Sequence, residues 1–359
     1  KDYNAYRDAR RPGEQDTDAS KASQHEFLAY LPEHRYLYRP TRDLWPAQSV
    51  DNVLWKGASE HLDQNAAIQQ MTWAPGMPEV IEDRLVVEGG WIDAPGKRTY
   101  NLYKPPLPFQ GDAGEAGPWV AHIRRVYPDD AEHIMDWLAQ RVQSPEVKLN
   151  HALVLGGSQG IGKDTLLEPA IHGVGPWNTA EIAPTQLLGS FNGWVNSVIL
   201  RVSEARDLGE ITRFSFYDHT KTYIAAPPEV LRVNEKNRRE YPVFNKTGVI
   251  ITTNHKLDGL YLPIDDRRHY VAWSETTKEE FPEVYWKTLW DWYNDGGVGH
   301  VIAFLKARDL SQFDPKAPPK QTEAFKAIVA TNHPTEDLAL ADLLEEMGSP
   351  VLAVTSELA

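Results

Sequence analysis

The most apolar stretches of this chain are short. Ala152-Leu153-Val154-Leu155, Val198-Ile199-Leu200-Arg201-Val202 and Gly248-Val249-Ile250-Ile251-Thr252-Thr253 run almost unbroken, with helical or loop stretches between them. Apolar runs of strand length that do not alternate predict a parallel sheet covered on both faces. Over residues 129–142, Ile134, Leu138 and Val142 recur at helical spacing. Asp129 or Asp130 is placed to cap that helix, and Ser144-Pro145 to end it. Residues 281–293 predict an aromatic amphipathic helix through Tyr285, Trp286, Leu289, Trp290 and Tyr293, stopped by Gly296-Gly297. Val301 to Arg308 predicts another helix, Pro315, Pro318 and Pro319 break the chain, and a short helical tail is expected up to Ala359.

The pattern differs over residues 27–118. Apolar segments there are brief and punctuated: Leu85-Val86-Val87, Gly89-Gly90, Trp91-Ile92, Pro95-Gly96, Tyr100-Asn101-Leu102-Tyr103. Short strands and turns are expected, forming a small β-rich module. Residues 1–26 are polar, with Arg10, Arg11, Pro12 and Gly13, and predict an arm or linker. Pro105, Pro106 and Pro108, then Gly111, Gly114 and Gly117, predict a hinge. The expected organisation is an arm (1–26), an accessory module (27–118), a helical connector (119–148), an α/β core (149–275) and a C-terminal helical region (276–359).

Composition narrows the chemistry. The chain has 359 residues and no cysteine. That excludes disulfides, iron–sulfur clusters, thiolate zinc sites and cysteine nucleophiles, and fits a reducing compartment. No apolar run approaches the ~20 residues that span a bilayer, and no leader pattern opens the chain. The net charge is −14. That argues against a surface coated by nucleic acid but permits a local basic element, because salt screens charges beyond ~8–10 Å. The 12 tryptophans are expected mainly in core packing.

The richest stretch is Gly156-Gly157-Ser158-Gln159-Gly160-Ile161-Gly162-Lys163-Asp164-Thr165. It follows a strand, precedes a helix, and has the Gly-x4-Gly-Lys spacing of a phosphate-binding loop. Glycines let successive N–H groups converge on phosphate oxygens, and the helix N-terminus adds its positive end. Lys163 is expected to reach the β and γ phosphates of ATP. Asp164 stands where Ser or Thr ordinarily ligates Mg²⁺; Asp164 or Thr165 is the candidate ligand, directly or through water.

Three further features follow in order. Glu204 closes the second apolar run and is the candidate general base and a second metal contact. Asn254 ends the third run, where it could hydrogen-bond both the γ-phosphate and the attacking water. Asp265-Asp266-Arg267-Arg268 follows, and either arginine could enter a neighbouring subunit's site as a finger. Between the second and third runs, residues 232–246 hold five basic and two acidic residues. A cationic loop in an acidic chain suggests phosphate-backbone contact, with Lys236, Arg238 and Arg239 as its candidates and Lys221 flanking it.

This order resembles superfamily 3 helicases, and among them the helicase part of phage and prophage primase-helicases of the deep-sea phage polymerase type. The matching stretches are residues 156–165, Thr-Thr-Asn-His at 252–255 and Asp-Asp-Arg-Arg at 265–268, with Met71-Thr72-Trp73-Ala74-Pro75-Gly76 and Asn101-Leu102-Tyr103 upstream. The resemblance covers roughly residues 70–325, and Asp164 is similar to that subgroup's usage. It implies an AAA+-like core and a ring, often hexameric, with ATP between subunits. It implies 3′→5′ movement on single-stranded DNA through a pore lined by the basic hairpin. It also implies a primase-polymerase domain before Lys1 or as a partner, and a phage or prophage protein working in the bacterial cytoplasm. A P-loop phosphotransferase would share the loop but leave the basic segment unexplained. A weakly catalytic module that loads another helicase is a third reading, carried by Asp164 and Ser203.

Overall fold

The structure is a computed structural model and describes residues 22–203, 210–255 and 260–331. Ser23 caps a short 3₁₀ turn, and the chain enters β1 (Phe27–Tyr30), β2 (Arg35–Tyr38) and β3 (Asp43–Trp45). Two helices, α1 (Ala47–Val53) and α2 (Ala58–Asn65), lead to β4 (Ala67–Ile68). These strands form one sheet in the order β3-β2-β1-β4. β5 (Gln70–Thr72), β6 (Val80–Val87) and β7 (Gly90–Asn101) form a second, ordered β5-β7-β6. The β-rich reading of this part holds.

Two helices follow, α3 (Gly117–Val126) and α4 (Ala131–Gln143). The second lies close to the helix expected over 129–142. Its start is not capped as expected: Asp130 makes no capping bond, and its carboxylate accepts from the Tyr270 hydroxyl at 2.6 Å. Next come β8 (Ala152–Gly157), α5 (Lys163–Val174), β9 (Thr179–Ile182), α6 (Pro184–Leu187), β10 (Ile199–Val202) and α7 (Glu210–Ile224). A hairpin of β11 (Val230–Val233) and β12 (Tyr241–Phe244) precedes β13 (Gly248–Thr253) and β14 (His269–Ser274). The chain closes on α8 (Glu283–Trp292), α9 (Val298–Ala307) and α10 (Glu323–Thr331). Gly296, at φ +96°, kinks α8 into α9. The glycine pair therefore turns the helix rather than stopping it, and the second helix starts earlier than expected.

β8, β9, β10, β13 and β14 make one all-parallel sheet in the order β14-β8-β13-β10-β9. The three predicted runs are β8, β10 and β13. The sequence pattern does not predict β9, partly exposed at the edge, or β14. This is an AAA+-like P-loop α/β core. The order puts the carboxyl ends of β8, β13 and β10 side by side, which is where ligands bind in open parallel sheets.

The two halves share a core. Trp73 and Tyr100 from the N-terminal sheets are buried in one cluster with Trp119, Trp137, Leu153 and Leu155. The Pro/Gly segment after β7 is pinned rather than hinged. The Lys104 carbonyl accepts from Trp177 Nε1 at 2.8 Å and Asn178 Nδ2 at 2.7 Å. Gly111 lies so close to the Gly299 backbone that a Cβ would collide with it, and Asp112 N donates to His300 Nδ1 at 2.9 Å. Among the described residues no helix is long and apolar enough to cross a membrane.

Candidate nucleotide site

β8 runs into the glycine loop, and α5 begins at Lys163. Gly157 has φ +140° and Gly162 +90°, regions that side chains rarely adopt. Gly162 is also sterically closed to anything larger: a Cβ there would stand 2.5 Å from the Trp286 ring. Ser158, Gln159 and Gly160 are exposed at the loop's crest, whereas Ile161 is buried against Gly157.

The Lys163 ammonium donates to the carbonyls of Gly157 at 2.7 Å and Ser158 at 2.9 Å. Its third bond, 2.8 Å long, goes to Asn254 Oδ1 at the end of β13. An ammonium only donates, so the Asn254 amide must turn its oxygen toward it. All three acceptors are neutral. Burial lowers the Lys163 pKa to about 8, with Asp164 opposing and Arg201 adding to the shift. A desolvated cation held by dipoles alone is a seat for an anion.

Asp164 is in the first turn of α5 with its carboxylate largely exposed, ion-paired to Arg201 of β10. Arg201 also lies 3.7 Å from Glu181, and its buried Nε has no hydrogen-bond partner. Thr165 lines the same cavity, and its carbonyl accepts from the Tyr293 hydroxyl at 2.9 Å. The cavity measures about 530 Å³ and is bounded by Lys163, Asp164, Arg201, Ser203, Asn254 and Trp290, among others. Glu204, the candidate base, lies outside the described residues; Ser203, immediately before it, lines the cavity.

Two residues here escaped the sequence reading. Arg201 lies inside an apolar run whose pattern predicts only a strand, although a charge in a buried parallel strand is itself a signal. His122 of α3 is buried beneath the loop. Its Nε2 is 3.2 Å from the Gly162 carbonyl, so that nitrogen carries the proton, and Nδ1 accepts from the Tyr285 hydroxyl at 2.8 Å. Burial lowers its pKa, which keeps the ring neutral.

Arg267 and Arg268 do not reach this cavity. They line another, of about 400 Å³, together with Lys221, Phe214, Tyr217 and Tyr261. Asp266 builds the turn that presents them. Its buried carboxylate accepts from Arg268 N, His269 N and His269 Nδ1, each at 3.0 Å, and from the Tyr217 hydroxyl at 2.9 Å. Burial would raise its pKa, but these donors bring it down to about 2. Lys221 thus stands with the arginine pair rather than with the basic segment it flanks in sequence, 2.6 Å from Asp218.

The basic segment is the β11–β12 hairpin. Its root is held by Asn245, whose Nδ2 donates to the Thr222 carbonyl at 2.9 Å and the Pro228 carbonyl at 3.0 Å. Lys148, fully buried, donates to Asn245 Oδ1 at 2.9 Å and the Thr247 carbonyl at 2.7 Å; burial pushes its pKa well down. At the tip, Arg238 pairs with Glu235 at 2.8 Å and reaches the Arg42 carbonyl at 3.3 Å. Lys236 and Arg239 are exposed, although the Arg239 backbone N–H meets Glu33 at 3.3 Å. The hairpin therefore leans on the N-terminal module, and Arg238 already has an internal partner.

Sheet order, glycine loop and strand-end polar residues together define an α/β P-loop protein of the AAA+-like kind. Residues 155–268 match a family of unknown function, DUF5906. No curated protein matches the chain. Among solved structures, the apo C-terminal region of NrS-1 (residues 305–718) superposes with a TM-score of 0.67 at 18% identity, covering 91% of this chain and 80% of that one. The A form of the apo NrS-1 C-terminal region gives 0.64 at 19% identity, covering 89% and 76%. JCV helicase gives 0.33 at 12% identity, covering 67% and 66%. At 18–19% identity the likeness to the NrS-1 region is one of fold.

Proposed function

We propose that the protein is an ATP-driven helicase or translocase of the superfamily 3 type, acting on single-stranded DNA in the replication of a phage or mobile element. The observation that carries this reading is the Lys163–Asn254 bond of 2.8 Å, which joins the phosphate loop to the end of β13 across one cavity. In this reading the loop N–H groups and the α5 N-terminus hold the β and γ phosphates. Lys163 exchanges its neutral acceptors for phosphate oxygens. Asn254, released from Lys163, orients the water, and Glu204 takes its proton.

The described residues contain no group of three or more His, Asp or Glu side chains placed to hold a metal. Mg²⁺ needs only one or two protein oxygens beside phosphates and water. The Asp164 carboxylate and Thr165, on the first turn of α5, fit that demand. Bound there, Mg²⁺ would neutralise charge on the phosphates; Asp164 would first leave Arg201.

Arg267 and Arg268, in a cavity apart from Lys163, suit a finger that acts on a neighbouring copy, in a homo-oligomer proposed to be a hexameric ring. Lys236 and Arg239 are the proposed contacts to the DNA backbone. Phosphate release by the full chain, with and without single-stranded DNA, tests the function. Stimulation by DNA is expected. Hydrolysis indifferent to DNA, or transfer of the phosphate to another acceptor, would favour a phosphotransferase.

A further inference from the structure

The tryptophans of this protein range from fully buried to exposed. Trp73, Trp119 and Trp137 are fully buried core residues. Trp55, Trp177 and Trp290 are exposed. Trp177 has an evident local role, lying under Lys104 at 4.8 Å with its ring N–H bonded to the Lys104 carbonyl. Trp55 meets His61 edge-on, with ring centres 5.9 Å apart. Trp290 is different: it is 40% exposed and lines the phosphate-loop cavity.

Trp290 is one turn beyond Trp286 on α8, so both side chains rise from one face of the helix. Trp286 lines the same cavity and is fixed against the loop itself. It packs on Gly162, where the missing Cβ makes room for the ring. Phe281 and Tyr285 hold it with ring centres at 5.2 Å, and His122 meets it edge-on at 5.6 Å. The position of α8 relative to the phosphate loop is therefore set by close packing. An exposed indole is held at a fixed place beside a seat for polyphosphate.

We infer that Trp290, positioned by Trp286, is the stacking platform for the nucleobase of the bound nucleoside triphosphate. The inference rests on the nucleotide reading above and extends it to the other end of the ligand. The cavity, about 530 Å³, is within the range of ~300–1,000 Å³ usual for small-molecule sites. An indole recognises the π-face that every base has and reads no edge. The platform therefore serves ATP, dATP and GTP alike, and pyrimidine nucleotides less well because their single ring overlaps the indole less. Affinity from the phosphates and affinity from the base are thus separable.

The experiment compares wild type, Trp290→Ala and Trp290→Phe as full chains, titrated by calorimetry with ATP, GTP and inorganic tripolyphosphate. Trp290→Ala should raise the Kd for ATP and GTP by roughly 5- to 150-fold, the span of one base–aromatic stack, and leave tripolyphosphate unchanged. Trp290→Phe should keep most of the affinity. Equal loss for ATP and tripolyphosphate would overturn the inference, because Trp290 would then act through the loop. Wild-type ATP affinity in Trp290→Ala would overturn it as well. Failure of wild type to bind either ligand would instead remove the nucleotide site itself, and the platform with it.

Discussion

Lys163 and Arg238 are both cations withdrawn from water, and they have opposite kinds of partner. Lys163 is held by two backbone carbonyls and an amide, all neutral, and burial lowers its pKa to about 8. Arg238 is held by the Glu235 carboxylate and the Arg42 carbonyl; burial opposes its charge, but Glu235 outweighs that and raises its pKa. One cation keeps its electrostatic demand unmet and gains from an arriving anion. The other is already neutralised and serves to brace the hairpin on the N-terminal module. The difference separates motif from charge count. A glycine spacing dictates where N–H groups and a lysine must point, whereas a surplus of basic residues over 232–246 does not say which of them are free.

A third group of cations, Arg267, Arg268 and Lys221, extends the comparison and carries the largest expected effect. If they complete a neighbour's site, an Arg267→Ala/Arg268→Ala subunit hydrolyses ATP at its own site when placed beside a Lys163→Ala subunit. Rings lacking every finger should lose ~10³–10⁵ in rate, by analogy with GTPase fingers. Mixed rings that form but never recover turnover would make the pair structural.

Next in size is a pH effect. Triphosphate should raise the Lys163 pKa above its free value of about 8. A group whose pKa is higher in the complex favours binding while it is protonated. ATP affinity should therefore fall above about pH 8 by up to about tenfold per pH unit, with proton uptake on binding in that range. Calorimetry in buffers of different ionisation enthalpy reads this directly. Affinity that holds steady or rises above about pH 8 would mean Lys163 does not meet the phosphates.

The smallest effects distinguish the hairpin's own cations. Lys236→Ala should lower the slope of log affinity for single-stranded DNA against log salt by about 0.7. Arg238→Ala should leave that slope alone and instead cost ~1–3 kcal/mol of stability, by leaving Glu235 half-buried and unpaired. The reverse result would exchange their roles, and a chemical denaturation run beside the salt titration is enough to see it.

The residues that sequence could and could not disclose follow the same division. The β8–loop–α5 unit was legible because strand, glycines and lysine are contiguous, so local geometry is encoded locally. The Asn254 strand end was legible from its apolar run. His122 was not, because its contact with Gly162 spans 40 residues and lies between two layers of the fold. Arg201 reaches Asp164 across 37 residues, and no local pattern foretells that pairing. Asp130 looked like a helix cap and bonds Tyr270 instead, 140 residues away. The proline-rich stretch after β7 had the composition of a hinge, but Trp177, Asn178 and His300 hold it from outside its own sequence.

The cavity at Lys163 is, in the proposed function, where a nucleoside triphosphate is held and cleaved in response to DNA. The direct measurement is phosphate release from ATP by wild type and Lys163→Ala, each with and without single-stranded DNA. Wild type should release phosphate faster with DNA, and Lys163→Ala should release none in either condition while keeping its fold by circular dichroism. Near wild-type turnover in a folded Lys163→Ala would contradict the account.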